Sequence, residues 1–428
     1  MKIRRLASLL LTMAVLLNYA NVFSVARGEQ KSSRFTYVVL TDGTAKITDF
    51  DWSGNSGNTI KVPKTVDGHV VSTIGKEAFR GSQYEILTEV GLMADVVLPD
   101  TVTCIKEKAF YNSSITSINI TQSITKIGAG AFAGTYITNF IVAPENETYA
   151  TIDGSLYNKK TKELVAWKFP NSLGETVNVE IPDGIVSIGD YAFYGMGSAG
   201  RFNFTKPIPE TVVSIGNSAF EFSDFECNIL DLLPSSLESI GNCAFNNSHG
   251  LDSSSNVFSL PQNVNRIGTG CFSNSKGNCT SIDLTSTQLK AIPDQAFYKF
   301  GDEETECKVF LPDTVERVGA YAFSYACCNL MIGDNSSLSF IGDYAFYNIQ
   351  NTKLVLPESV RTIGSGAFGG TALEEIVLPE GVEAIGDDMC ERTVLLDAQP
   401  GSYAAKWAEQ NGYKTTINSS EDTSWLSD

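Results

Sequence analysis

Apolar positions recur along this chain with two periods at once. Over short stretches they alternate, as in Val-x-Leu followed by proline, the pattern of a strand with one inward face. Over longer stretches a fixed apolar set returns. IGKEAF begins at 74, IKEKAF at 105, IGAGAF at 127 and IGDYAF at 188. IGNSAF follows at 215, IGNCAF at 240, IGTGCF at 267 and IPDQAF at 292. VGAYAF at 318, IGDYAF again at 341, IGSGAF at 363 and a decayed IGDDMC at 385 complete twelve copies. Apart from one gap of 31 and one of 61, the spacings run from 22 to 27 residues. Such a period predicts a stacked solenoid in which each repeat buries its apolar face on its neighbours.

The rest of each repeat is equally regular. ALEEIVLPEGVEAIGDD places Leu373, Ile376 and Leu378 at L-x-x-I-x-L spacing and Pro379 directly after them. The alternating part predicts a strand, and the proline, which has no N–H to donate, ends it. Glycine after the isoleucine allows either an unusual backbone angle or a close backbone approach. The phenylalanines from Phe79 to Phe368 are expected to stack as an interior column, with strands pairing in a parallel sheet.

The unit L-x-x-I-x-L-P-x-x-V-x-x-I-G-x-x-A-F resembles that of the BspA-like leucine-rich repeat family, over about residues 35 to 415. FTYVVLTDGTAKITDFDW resembles the family's N-terminal cap, and GSYAAKWAEQNGYKTTI at 401–417 its closing helix and strand. The resemblance implies a mainly β repeat solenoid with short turns and two caps. It also implies a non-catalytic extracellular or cell-surface protein that adheres to host matrix or to other cells. The expected organisation is a signal peptide at 1–26, an N-terminal cap at 27–63 and the solenoid at 64–393. A C-terminal cap at 394–417 and a disordered tail at 418–428 complete it.

The 61-residue gap contains an insert of about 144–174, read as a β-hairpin with NKKTK at its turn. Two readings are open for it. It is either a projecting element that presents Tyr157 and Trp167, or a degenerate rung packed on the array. Loops after the phenylalanine lengthen the middle repeats, and Asp302, Glu303, Glu304 and Glu306 cluster in one of them. Their spacing fits no calcium loop, so they read as solvated charge.

The residue between the last two apolar positions of each strand points outward. Along the first nine strands it is mostly polar, for example Lys61, Asn119, Glu180, Asp231 and Asp283, with Val97 and Ile141 as exceptions. In the last four it is Phe310, Met331, Val355 and Val377. The preceding outward position supplies Lys308, Asn329, Lys353 and Glu375. An apolar strip with a polar rim is the pattern of a protein-binding surface. Self-association through the strip, and a bare preference of sheets for such residues, are the alternatives.

Charge and composition narrow the partners. The formal net charge is −18. Lys2, Arg4 and Arg5 precede the apolar run Leu6 to Leu17, with Ser24 and Ala26 suited to cleavage, a secretory signal peptide. Its removal leaves 28 bases against 49 acids, or −21. That acidity argues against nucleic acid, and no stretch reaches the ~20 apolar residues of a membrane helix. Two histidines and no Cys-x-x-Cys pair give little basis for a His-dependent triad, a metal site or a cofactor. Catalysis is therefore not expected. Carbohydrate binding is the rival reading, through exposed Tyr157, Trp167, Tyr298 or Phe300. Nine cysteines sit mainly at repeat positions, and Cys279, Cys307 and Cys327 or Cys328 fall on consecutive rungs, near enough to bridge.

Overall fold

The alternation and the period both take physical form in a computed structural model that describes residues 28–53, 59–81, 93–170, 174–301, 307–326, 328–333 and 335–416. The leader, the acidic residues Asp302 to Glu306, Cys327 and the tail at 418–428 lie outside the described residues. Two compact units are present, Met1–Thr135 with Val142–Glu147, and Tyr136–Ile141 with Thr148–Asp428.

The second unit shows the repeat most fully. Its first wall is built from the alternating strands. Val257–Ser259, Ser281–Asp283, Cys307–Phe310 and Cys328–Met331 form one parallel sheet. Lys353–Val355, Glu375–Leu378, Leu395–Ala398 and Lys414–Thr415 form another. The second wall is built from the isoleucine of I-G and the residue before it. These two-residue strands pair in parallel from Ser187–Ile188 to Arg266–Ile267, and again from Ala291–Ile292 to Ala384–Ile385.

A third ladder closes each turn. The amide of each column phenylalanine donates to the carbonyl of the residue before the next one: Phe193 to Ala219 at 2.7 Å, Phe245 to Cys271 at 2.8 Å, Phe323 to Ala345 at 2.8 Å. The rings stack between the walls. Centroids lie 4.8 Å apart for Phe193 and Phe220, 5.1 Å for Phe297 and Phe323, and 5.7 Å for Phe346 and Phe368. Spacing near the strand separation means that one ring fits each rung. Small alanines beside the rings, fully buried at Ala219, Ala296 and Ala322, leave them room.

Side chains add a fourth tie. Where the residue after I-G is Asp or Asn, its carbonyl or carboxylate oxygen accepts the equivalent N–H of the next rung. Asp190 accepts from Asn217 at 2.6 Å, Asn217 from Asn242 at 2.9 Å, and Asp343 from Ser365 at 2.8 Å. Backbone groups in these tight turns are thereby satisfied without water.

One rung departs from the pattern. Ile229–Leu232 is a 3-10 helix, so Asp231 belongs to no strand and instead accepts the Ser254 N–H at 2.7 Å. The run Ile229-Leu230-Asp231-Leu232-Leu233 does not alternate, which removes the preference for a strand there.

In the first unit, antiparallel strands Gln30–Ser32, Phe35–Val39 and Ala45–Phe50 lead into the parallel strands His69–Ile74, Cys104–Ile105 and Lys126–Ile127. Its ring column runs Phe50, Phe79, Phe110, Phe132, with the Arg34 guanidinium 4.7 Å above Phe50. At the other end of the chain lies the expected helix, Tyr403–Gln410. Ser402 accepts the Ala405 N–H to start it, and Ala404, Ala405 and Ala408 bury its inner face. The strand Lys414–Thr415 follows.

The insert is a rung and does not project. Tyr149–Ile152, Ser155–Asn158 and Glu163–Ala166 are antiparallel, and the last pairs in parallel with Ser187–Ile188. Trp167 stacks on Phe193 at 5.2 Å and donates its amide to Ala192, as the column phenylalanines do. Trp167 and Tyr157 are therefore buried, at 5% and 3% exposure, and present nothing to a partner. Phe300 is buried too, against Phe258 and Phe297.

Candidate functional site

The strand register settles which members of the apolar strip are neighbours. Phe310 is opposite Met331, with Lys308 opposite Asn329 on the row beside them. Val355 is opposite Val377, with Lys353 opposite Glu375. Outward side chains on paired strands are in van der Waals reach of one another, so each pair makes one apolar patch. Met331 is 43% exposed and Val355 58%, while Phe310 and Val377 are half-buried.

No strand pairing among the described residues joins Met331 to Val355. At that step the Asn351 amide stands in for the ladder. It accepts the Leu330 N–H at 2.7 Å and donates to the Leu330 carbonyl at 3.1 Å. The strip is thus two apolar pairs on either side of a side-chain bridge. Both ends carry an acid in register: Asp283 faces Phe310 and Asp397 faces Val377. The rim is less basic than its sequence implies, because the Lys353 ammonium pairs with Glu375 at 2.8 Å. Such an exposed pair contributes little to stability, about 0–1 kcal/mol. Lys308 is exposed.

Chemically this surface can exclude water and little else. Covering it gains about 25 cal/mol per Å² of apolar area. Among the described residues no group of His, Cys, Asp and Glu side chains gathers to hold a metal ion, and no helix is long and apolar enough to cross a membrane.

Cys104, Cys227, Cys243, Cys271, Cys279, Cys307 and Cys390 are free thiols. Cys307 and Cys328 are register partners, and the free Cys307 thiol lies 3.7 Å from the Lys308 carbonyl oxygen. Cys271 is fully buried in the alanine position and Cys390 is buried at the end of the ring column. Burial pushes the Cys271 thiol up, raises those of Cys390 and Cys279 to about 12, and raises that of Cys307 to about 11. They behave as small core residues.

Of the aromatics expected to meet a glycan, Tyr157, Trp167 and Phe300 are in the core, and Tyr298 alone remains half-buried at the surface. Exposed aromatics stand elsewhere: Phe222 and Tyr403, and the group Tyr321, Tyr325 and Tyr344 on the turns around Ala-Phe. The signal for Tyr321 and Tyr344 was the tripeptide Tyr-Ala-Phe, repeated at 191, 321 and 344.

The BspA type leucine rich repeat region, in 6 copies, matches residues 88–178, 169–301 and 300–401. No curated protein sequence matches the chain. Among solved structures, a leucine-rich repeat protein from Eubacterium ventriosum is 19% identical, with 80% of this chain and 94% of that one covered and a TM-score of 0.47. The pneumococcal vaccine antigen PcpA is 16% identical, with 91% and 98% covered and a TM-score of 0.40. A leucine rich cell surface protein from Faecalibacterium prausnitzii is 18% identical, with 92% and 95% covered and a TM-score of 0.38.

Proposed function

We propose that this chain, which belongs to the BspA-type leucine-rich repeat family, is a secreted, non-catalytic adhesion protein that binds an extracellular protein through Phe310, Met331, Val355 and Val377. The observation that carries this reading is the register of the four outward side chains, two adjacent apolar pairs bounded by Asp283 and Asp397. A stretch of sheet with apolar centre and charged edges is built like the core and rim of a protein interface. The basic, then apolar, start of the chain supports export. Host matrix proteins and the surfaces of other cells are the partner class that the family suggests.

The test is binding of the purified protein to a panel of immobilised extracellular matrix proteins, beside the variant Phe310→Asp/Met331→Asp. The two positions are adjacent and outward, so the variant keeps the wild-type circular dichroism spectrum. Binding that disappears in the variant supports the reading. Binding of equal strength in both proteins refutes the strip as the contact, and absence of binding to any panel member refutes the partner class.

A further inference from the structure

The turn side of the second unit carries a different surface. Three successive rungs present Tyr298, then Tyr321 and Tyr325, then Tyr344 and Tyr347. Tyr321 and Tyr344 stack at 5.0 Å with planes 10° apart. Tyr325 lies 5.2 Å from Tyr347, and Tyr298 meets both Tyr321 and Tyr325 edge-on at 6.5 and 6.2 Å. Tyr321, Tyr325 and Tyr344 are 37–42% exposed.

These rings are held at a conformational cost. Tyr321, Tyr325 and Tyr344 have φ of 57°, 59° and 54°, in the left-handed region. A side chain there is disfavoured by about 1–2 kcal/mol. Other rungs fill the same slots with glycine, at Gly130, Gly270, Gly366 and Gly370, or with side chains such as Ser218 and Gln295 before the alanine and Asn274 after the phenylalanine, all at positive φ. The next rung is shaped to receive the rings. A Cβ on Gly366 would fall 2.5 Å from Tyr344 Cε1, and one on Gly370 2.9 Å from Tyr347 Cζ. The turns fold with glycine or with short or polar side chains in these positions, so nothing in the turn itself calls for a tyrosine.

The shelf already holds one cation. The Lys299 ammonium sits 5.3 Å from the Tyr298 ring centre and 5.8 Å from that of Tyr325. Aromatic faces attract ammonium and guanidinium groups, and tyrosines supply rigid contact area at low entropic cost. The rest of the chain adds long-range attraction, with a net charge of −18 and the Glu391 carboxylate at the edge of the shelf, where it accepts the Gly370 N–H at 3.2 Å.

We propose that the shelf formed by Tyr298, Tyr321, Tyr325, Tyr344 and Tyr347 docks a lysine- or arginine-rich segment of a partner protein. This contact is independent of the sheet strip and stands or falls without it.

Calorimetric titration of the purified protein with a decalysine peptide, at physiological ionic strength, tests the proposal. Tyr321→Gly/Tyr344→Gly leaves the net charge unchanged and installs the residue found there at Gly130, Gly270 and Gly366. It is expected to weaken binding about tenfold. Tyr321→Phe/Tyr344→Phe keeps the ring faces and is expected to bind within about twofold of wild type. Lys299→Gln frees two faces and is expected to tighten binding more than the charge-matched Lys290→Gln. Equal binding by wild type and the glycine variant reduces the effect to net charge and overturns the proposal. So does absence of wild-type binding, or a Phe variant as weak as the Gly variant. Should the glycine variant not fold, the comparison of Lys299→Gln with Lys290→Gln decides, and equal affinities overturn it.

Discussion

The α-carbon of Gly241 lies so close to the chain at Asn217 that a Cβ placed on it would be 2.6 Å from the Asn217 backbone nitrogen. Gly241 has no positive φ, so the glycine after isoleucine answers to close approach and not to an unusual backbone angle. Its N–H also donates to the Ile215 carbonyl at 2.8 Å, which ties it to the preceding rung. Gly241→Ala is therefore expected to destabilise by about 1–3 kcal/mol, the cost of overpacking. Urea denaturation followed by circular dichroism checks this, and a midpoint equal to wild type would contradict it.

Phe323 is fully buried, with its ring 5.1 Å from Phe297 and 5.6 Å from Phe346. Phe323→Ala should cost about 3–5 kcal/mol. Because each rung contacts only its neighbours, the damage should be concentrated nearby. Hydrogen exchange is expected to accelerate between about residues 292 and 368 and to stay slow near Phe193.

Thiol labelling of the native protein should separate the cysteines by burial. Cys104 and Cys243 are partly exposed, whereas Cys271, Cys279, Cys307, Cys328 and Cys390 are buried. A thiolate is the reactive form, and burial suppresses it. At pH 8 the buried five should react with an aromatic disulfide reagent only after denaturation. Rapid labelling of Cys307 or Cys328 in native protein would show that this stretch of sheet opens.

Acid should loosen the N-terminal strands first. The Tyr37 hydroxyl, 2.7 Å away, and then the Ser32 hydroxyl hold the Asp67 carboxyl below its usual range. The Ser53 hydroxyl and N–H, with Lys31, lower Asp51 to about 2. A carboxyl lowered in the folded state contributes fully above its unfolded value of about 4 and loses that contribution as pH falls through the folded value. Hydrogen-exchange protection of Phe35–Val39 should therefore decline between about pH 4 and 2. Asp67→Asn should have weaker protection at pH 7 and a flatter acid response. An unchanged acid profile in that variant would exclude Asp67 as a cause.

The rungs were legible in the sequence because Ile, Ala and Phe each occupy a slot that tolerates little else. The two-residue strands of the second wall were not, since two residues carry no alternation; they are strands only because the next rung supplies their hydrogen bonds. Trp167 lay in a hairpin insert open to two readings, a projecting element that presents it or a degenerate rung. Yet it stands 26 residues before Phe193, within the 22–27 period, and the fold uses it as a column ring. The strip could be read off the strand pattern, but its division by Asn351 could not, because a side-chain amide that replaces a ladder bond has no periodic signature. The tyrosine shelf escaped for the opposite reason. It lies on turns, where no alternation directs attention outward, although Tyr-Ala-Phe was repeated in plain view.

The hydrogen bonds of the second unit run from each rung to the next, through the Ala-Phe ladder and the Asp and Asn oxygens. Pulling the ends of this unit apart loads those bonds in series along the stack. A rung at the end of the array peels off while those behind it keep their partners, so extension should proceed in small steps of one repeat each. A molecule of this kind would dissipate a tug gradually and re-form as the load drops, where a globular domain would fail all at once.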